Sequence, residues 1–136
     1  MNVTLNGEGY NFIPFIHVHS DARRSIFAND ELLKDKKEIS FIKLNKGKAI
    51  GGCIHDKNEY MCVIDGEVLV LLGDKRFMMG RGHSICIPAN TPHTFMSAEE
   101  ALIMEWGITA EEKQLGAKGK DQTHTEFIKR VNGTDS

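Results

Sequence analysis

Short runs of apolar and β-branched residues, separated by turns that contain glycine or proline, dominate the middle of the chain. Eight such runs predict strands: Ile39–Leu44, Ala49–Ile54, Glu59–Ile64, Glu67–Leu72, Arg76–Met79, Ser84–Ile87, His93–Ser97 and Ala101–Trp106. Short strands at this even spacing are typical of an all-β sandwich or barrel. The dipeptide at residues 65–66, Asp-Gly, predicts a tight hairpin because glycine tolerates the positive φ of such a turn.

The segments on either side of this region have different patterns. Asn11–Ser20 is apolar and β-prone and predicts a strand, whereas residues 21–38 are polar and charged and predict mostly a loop. The end of the chain is again polar, apart from an apolar group within residues 127–131 that predicts a short docked helix or strand. We therefore predict a single domain in three segments: an N-terminal strand and loop (1–38), a β-barrel core (39–108) and a C-terminal extension (109–136).

Composition and charge narrow the classes of protein to which the chain could belong. The 136 residues suit one domain, and 40% apolar with 26% charged residues is an ordinary globular balance. A net charge of −2 without a dense basic run gives no support for a nucleic-acid partner. No apolar run reaches the ~20 residues that cross a bilayer, and no secretory signal pattern opens the chain. Three cysteines without paired spacing predict a reducing, cytoplasmic location.

Four residues with metal-binding or acid–base side chains lie near predicted strand ends. Cys53 and His55 are two residues apart on one predicted strand, so their side chains should point to the same face. Glu59 follows after a short loop and can begin the next strand. His93 stands at the start of a later strand, after a proline-containing turn. The four side chains are therefore candidates for one common site.

A barrel would bring three of these residues together, because one face of every strand points inward. His55, Glu59 and His93 would then converge in an interior lined by apolar neighbours such as Met61 and Phe95. Two imidazoles and a carboxylate can bind a divalent metal such as Zn, Mn, Fe or Ni. Burying unpaired ionisable groups among apolar neighbours is energetically costly. Such a cluster therefore indicates a functional site.

Cys53 has two interpretations at this point. Its thiolate could be a fourth metal ligand, which would favour zinc or another ion that accepts soft ligands. Alternatively, the side chain packs as a small buried hydrophobe, as free cysteines often do. The sequence leaves both open.

These residues resemble the two short motifs of the cupin superfamily. The family's motifs match here as Gly52, Cys53-x-His55, Glu59 and Gly66, followed by Gly82, Pro88 and His93. The resemblance covers roughly residues 39–106 and implies a double-stranded β-helix, the jelly-roll barrel of cupins. It also implies one metal ion held by His55, Glu59 and His93, with Cys53 at the position of the family's first histidine.

A narrower resemblance concerns the residues before the first motif. Asp21-Ala22-Arg23, followed by a strand and then Asn45-Lys46-Gly47, is similar to the sugar-nucleotide cupins. These are the 3,5-epimerases and 3,4-ketoisomerases of deoxysugar synthesis. The chain departs from their pattern in two places: Arg24 replaces the first glycine, and Ile50-Gly51 stands where they often carry Arg-Gly.

This narrower resemblance implies an isomerase or epimerase of a small polyhydroxylated substrate, a sugar or a nucleotide-linked sugar. The metal would polarise a carbonyl, and Glu59 or His93 would transfer a proton. Arg23 would contact a phosphate or carboxylate of the substrate. Phe95 and Met61 are the further residues that we expect to contact it.

Two other functions compatible with the same residues stay open. A cupin without the usual first histidine could bind a small molecule or carbohydrate without turnover. A two-histidine, one-carboxylate set also suits a non-haem Fe(II) dioxygenase. In all three cases we expect a homodimer, because exposed edge strands invite pairing and Asn11–Ser20 is suited to exchange between two chains.

Overall fold

Antiparallel strands make up most of the protein in the computed structural model, which describes residues 3–4, 11–109, 111–112 and 117–133. The strands are β1 (Val3–Thr4), β2 (Asn11–Phe12), β3 (Ile16–Ser20), β4 (Arg24–Asn29), β5 (Ile39–Leu44), β6 (Lys48–His55), β7 (Glu59–Asp65), β8 (Glu67–Leu72), β9 (Lys75–Gly80), β10 (Ser84–Ile87), β11 (His93–Ser97), β12 (Ala101–Trp106) and β13 (Ala117–Lys120). A 3-10 helix spans Lys34–Lys36, and the helix α1 spans Gln122–Asn132.

The strands of the described residues form two large sheets with the topology of a jelly roll. One sheet has the order β10-β7-β12-β5-β4-β3, and the other has the order β13-β6-β11-β8-β9. Every pair in both sheets is antiparallel. β1 and β2 pair separately. Within the described part of the chain, no helix has the length and apolar character needed to cross a bilayer.

The eight strands predicted between residues 39 and 108 are all confirmed. Five have the predicted bounds, β7 is one residue longer at its end, and β6 and β9 are each one residue longer at both ends. The hairpin predicted at residues 65–66 joins β7 to β8, and Gly66 has the expected positive φ of 86°. The alternation of apolar residues and turn residues is therefore a sufficient signal for this part of the fold.

The prediction of a loop over most of residues 21–38 is wrong for Arg24–Asn29, whereas the rest of the segment is loop apart from the 3-10 helix. This segment contains β4, which pairs with β5 over six residues. Its apolar residues are few, and they are flanked by charged ones, so the strand depends on its partner rather than on its own composition. The strand predicted for Asn11–Ser20 is also interrupted: residues 13–15 lie between β2 and β3, and Pro14 has no backbone N–H to donate to a ladder.

The inward-facing side chains change from apolar to polar along the strands. In β12, Ala101 and Ile103 are buried in the core, and the next residue of the same face is Glu105, which is also buried. In β7, Val63 belongs to the core, and Glu59 lies at the other end of the same face with 2% of its surface exposed. One end of the barrel is therefore filled by hydrocarbon and the other end is lined by buried charged groups.

A β-bulge in β6 sets the direction of the side chains that follow it. The pairing with β11 shifts between His93 and Thr94, so that Cys53 faces His93 while Gly51 faces Thr94. Gly52 is the extra residue, and Ile50 and Cys53 consequently line the same cavity although they are three positions apart. Regular alternation would have put them on opposite faces.

The bulge requires glycine because two backbones approach closely there. Gly51 has a φ of 116°, and a Cβ on it would lie 2.5 Å from the carbonyl oxygen of His93. Gly52 has a φ of 79°, and a Cβ there would meet the side chain of Ile128 on α1 at 3.3 Å. The double glycine therefore brings β6 close to β11 on one side and to α1 on the other.

The helix α1 covers the outer face of β6 and confirms the docked element predicted from residues 127–131. The Asn132 side chain accepts a hydrogen bond from Ala49 N–H and donates one to Ala49 C=O, both at 2.7 Å, as a neighbouring strand would. His124, which the sequence assigned only to a polar tail, is 2% exposed. Its Nε2 donates to the Gly73 carbonyl at 2.8 Å, so its Nδ1 accepts from the Thr94 hydroxyl at 2.7 Å.

Replacing Gly51 with alanine tests the bulge. We expect Gly51→Ala to lower the free energy of unfolding by about 3 kcal/mol, because it adds backbone strain and a clash with the His93 carbonyl. Gly47→Ala is the matched control: Gly47 also has a positive φ, 70°, but a Cβ there meets nothing within 4 Å. Gly47→Ala should lower the free energy of unfolding by only about 1 kcal/mol. Urea unfolding of both variants measures the difference, and equal losses would contradict a special role for Gly51.

Candidate metal centre

His55, Glu59 and His93 converge at the polar end of the barrel. One donor atom from each of the three residues can be chosen so that all lie within 4.8 Å of one another. Glu59 and His93 are buried, and the two imidazole rings lie 5.7 Å apart between centroids. These are the three residues predicted to hold a metal, and the structure brings them together.

The orientation of His93 presents a lone pair to the centre of this group. Its Nδ1 lies 3.2 Å from the Thr91 carbonyl oxygen, which can only accept, so Nδ1 carries the hydrogen. Nε2 then faces Glu59 Oε1 at 3.6 Å. Two acceptors at that distance are stabilised by a cation between them, either a proton on Nε2 or a metal ion. Because His55 supplies a third donor, the set fits a metal ion, and the bond to Thr91 is the outer contact that usually orients a histidine ligand.

The two turns next to the metal-binding residues are hydrogen-bonded to each other. The Asn58 side chain accepts a hydrogen bond from Ala89 N–H at 2.8 Å. Asn90 N–H donates to the carbonyl of His55 itself at 2.6 Å. The turn between β6 and β7 is thereby fixed to the turn before β11, so the three donors are positioned by backbone contacts rather than by each other alone.

The three donors open onto a cavity of about 290 Å³ between the two sheets. Its wall combines apolar side chains with further charged and polar ones. The residues that line it, besides the three donors, are Val18, Arg24, Ile26, Glu38, Ser40, Ile42, Ile50, Gly51, Cys53, Phe95 and Glu105. Glu38 accepts a hydrogen bond from the Ser40 hydroxyl at 3.0 Å.

Sequence reasoning did not identify Arg24, Glu38 or Glu105 as site residues. Glu105 could have been found, since it continues the inward-facing row of β12 after Ala101 and Ile103. Arg24 lies on β4, which the pattern did not predict. Glu38 immediately precedes β5.

Cys53 lines the same cavity, but it is not part of the donor group formed by the described residues. Its Sγ lies 3.9 Å from the Gly51 carbonyl oxygen, and its side chain is partly buried. The prediction that Cys53 and His55 share a face is therefore confirmed. A role for the thiol as fourth ligand stays a prediction, and the three-donor set stands without it.

The residues predicted to contact substrate are distributed differently from expectation. Phe95 lines the cavity, with its ring 5.9 Å from that of His93. Met61 is completely buried in the apolar core and is not among the cavity-lining residues. Arg23 also lies outside this cavity, because the alternation at the start of β4 directs its neighbour Arg24 inward instead.

Arg23 has a partner at the surface. Its Nη2 lies 2.8 Å from Asp21 Oδ2, and this hydrogen-bonded ion pair holds the pKa of the Asp21 carboxyl well below its usual range. Asp21 also lies 2.7 Å from His19 Nε2. The Asp-x-Arg sequence noted above thus forms a local contact outside the cavity.

Comparison with known proteins relates this architecture to one family. The family model described as "Cupin domain" matches residues 40–109. The plu4264 protein from Photorhabdus luminescens superposes with a TM-score of 0.59 at 15% identity, covering 82% of this chain and 94% of that one. A cupin superfamily protein from Desulfitobacterium hafniense gives a TM-score of 0.55 at 11% identity, covering 68% and 83%.

A third similar structure is much longer than this chain. CapF, solved with the inhibitor 3-isopropenyl-tropolone, gives a TM-score of 0.68 at 16% identity, covering 79% of this chain but 34% of its own. At these identities the likeness concerns the fold alone. No curated protein matches the sequence.

Metal-linked stabilisation tests the donor set. Chelator-treated protein without an affinity tag should gain thermal stability on addition of Zn, Mn, Fe or Ni, because a ligand at 100 times its Kd stabilises by about 2.7 kcal/mol. Glu59→Gln should remove this gain, whereas Cys53→Ala and the exposed-site control Glu99→Gln should keep it. Melting curves with and without each ion measure the effect. An undiminished gain in Glu59→Gln would contradict the assignment.

Proposed function

The chain belongs to the cupin domain family, and from that premise we propose that it is a metal-dependent isomerase or epimerase of a sugar or sugar-like carbonyl compound. The single observation that supports this most strongly is the combination of a three-donor metal group with further carboxylates in one small cavity. Such a combination supplies both parts of the chemistry: a place for a cation next to a carbonyl oxygen and separate groups that exchange protons.

His55, Glu59 and His93 are the residues that would hold the metal, a divalent ion such as Zn, Mn, Fe or Ni. When bound, the ion would act as a Lewis acid that polarises a substrate carbonyl. The chain's own contribution is to orient the donors: the Thr91 carbonyl keeps the hydrogen of His93 on Nδ1, so that Nε2 remains available as a ligand. Burial of Glu59 strengthens its attraction for a cation.

Proton transfer needs a group within reach of the carbon next to the carbonyl. The resemblance to sugar-nucleotide cupins gives this role to Glu59 or His93, and we retain both as candidates. Glu105 and Glu38 line the same cavity outside the donor group, so they offer proton acceptors that are separate from the metal ligands. In an isomerisation, one such carboxylate would take the proton from one carbon and return it to the adjacent carbon. In an epimerisation, one group would take the proton and a second group on the opposite face of the substrate would return a proton to the same carbon.

Two further functions have an observation in their favour. The two-histidine, one-carboxylate set is the donor set of non-haem Fe(II) oxygenases, which favours a dioxygenase as one alternative. Cys53 occupies the position of the family's first histidine and lies outside the donor group, which favours a cupin that binds a small molecule or carbohydrate without turnover as the other.

Solvent-proton exchange distinguishes these functions. We expect metal-replete protein to exchange the α-proton of at least one sugar or sugar phosphate in D₂O, as monitored by NMR, and a chelator to abolish it. Glu105→Gln should slow exchange about 100-fold or more if Glu105 is the proton-transfer group, with Glu99→Gln as the surface control. No exchange across a broad screen would contradict the isomerase. Oxygen uptake with Fe(II), or ligand-induced stabilisation without product, would favour the respective alternatives.

We also propose that the protein forms a homodimer through β3. This strand is an edge of its sheet, and Ile16 and Val18 on it are 59% and 56% exposed. Unpaired edges with exposed apolar side chains favour pairing with a second copy. The reducing, cytoplasmic location predicted from the sequence stays a prediction.

Light scattering after gel filtration tests the dimer. Wild type should have twice the mass of one chain, and Ile16→Lys should shift it to the monomer because a buried lysine at the interface is costly. Met78→Lys is the control, since Met78 is similarly exposed, at 57%, on β9, the edge of the other sheet. A monomeric wild type, or a dimer unaffected by Ile16→Lys, would overturn the proposal.

A further inference from the structure

Arg24 has a position that neither the fold nor the metal group explains. It is the one arginine or lysine among the residues that line the cavity. Its Nε is buried and has no hydrogen-bond partner among the described residues. The charges of Arg23 and Glu105 act on its guanidinium, whereas the adjacent Arg23 is paired directly with Asp21. A buried guanidinium nitrogen without an acceptor is costly, so its presence on a cavity wall indicates a ligand that supplies one.

Arg24 has the positive charge and the donor geometry needed to bind an anion. Burial lowers the pKa of its guanidinium, and the neighbouring charge of Arg23 acts in the same direction, while Glu105 opposes both. Arginine nevertheless keeps its proton at neutral pH. Its planar fork of N–H donors matches the two oxygens of a carboxylate.

The rest of the cavity limits the kind of anion. The charge of Arg24 and that of a bound divalent ion together offset the three carboxylates of Glu38, Glu59 and Glu105, which leaves no excess positive charge for a ligand with several negative charges. A phosphate dianion or a pyrophosphate is therefore disfavoured relative to a single carboxylate. The volume of about 290 Å³ is at the lower limit of ordinary ligand sites, about 300–1,000 Å³, which favours a small molecule over a nucleotide-linked sugar.

We propose that Arg24 is the residue that selects the ligand of this cavity, by binding the carboxylate of a small hydroxy or oxo acid. This inference rests on the proposed function, because it places the carboxylate of the acid at Arg24 and another oxygen of that acid at the metal group. Ile26, Ile42 and Phe95 provide the apolar wall for the carbon chain between the two ends. The substrate class is thus narrowed from sugars in general to sugar acids and related small acids.

Matched pairs of ligands test this selection on the metal-loaded protein. The probes are three acids and their neutral partners, in which the carboxylate is replaced by CH₂OH: glucuronate with glucose, pyruvate with hydroxyacetone, and lactate with propane-1,2-diol. Isothermal titration calorimetry should show that at least one acid binds at least 10-fold more tightly than its partner. Arg24→Met should remove that preference, and Arg24→Lys, which keeps the charge but not the fork, should restore it in part.

Arg23→Met is the matched control, because it removes an adjacent arginine that lies outside the cavity. It should leave the preference for the acid unchanged, and the metal content of all the variants should equal that of the wild type. Absence of any preference for acids in the wild type, or an equal preference in Arg24→Met, would overturn the inference.

The outcomes also separate this inference from the proposed function. Proton exchange on neutral sugars without acid binding would leave the proposed function standing and refute the role of Arg24. Acid binding that depends on Arg24, without any proton exchange, would support the role of Arg24 and refute the proposed function.

Discussion

The close approach of Gly51 to the carbonyl of His93 is the constraint on which the rest of the site depends. It allows one extra residue, Gly52, into β6, and this reverses the direction of every side chain that follows in the strand. Cys53 and His55 consequently face the interior, beside His93 on the paired strand. A regular strand of the same sequence would direct His55 away from its partners and would leave no three-donor group.

The polar end of the barrel is the second consequence of this arrangement. Buried carboxylates and a half-buried arginine replace apolar side chains there, and each is costly without a compensating charge or hydrogen bond. The fold accommodates them because the other end is filled by hydrocarbon from both sheets. In addition, α1 is hydrogen-bonded to β6 through Asn132 and to β11 through His124. A cation held by Glu59 and the histidines, together with an anion at Arg24, would satisfy both kinds of charge in one cavity.

Sequence reasoning predicted the strands from residue 39 onward and the three donors, because both are encoded locally. Turn residues mark where strands end. The donors were predicted from their residue types at strand ends and from the resemblance to the cupin motifs, whereas the Gly52 bulge that turns His55 inward was not predicted. Sequence reasoning did not predict β4, whose pairing comes from β5, and therefore missed Arg24. It also left His124 in a polar tail, because its burial depends on a hydroxyl and a carbonyl that are distant in sequence. Contacts that depend on tertiary pairing leave little periodic signal in the chain.

X-ray absorption spectroscopy at the edge of the bound metal, on protein purified without an affinity tag, tests the central claim most directly. We expect a first shell of nitrogen and oxygen at about 2.0–2.2 Å, with the outer-shell scattering of two imidazoles, as two histidines and one carboxylate would give. That spectrum should be the same in Cys53→Ala. A sulfur contribution at about 2.3 Å in the wild type, or a protein that retains no metal after reconstitution, would contradict a centre built from His55, Glu59 and His93 alone.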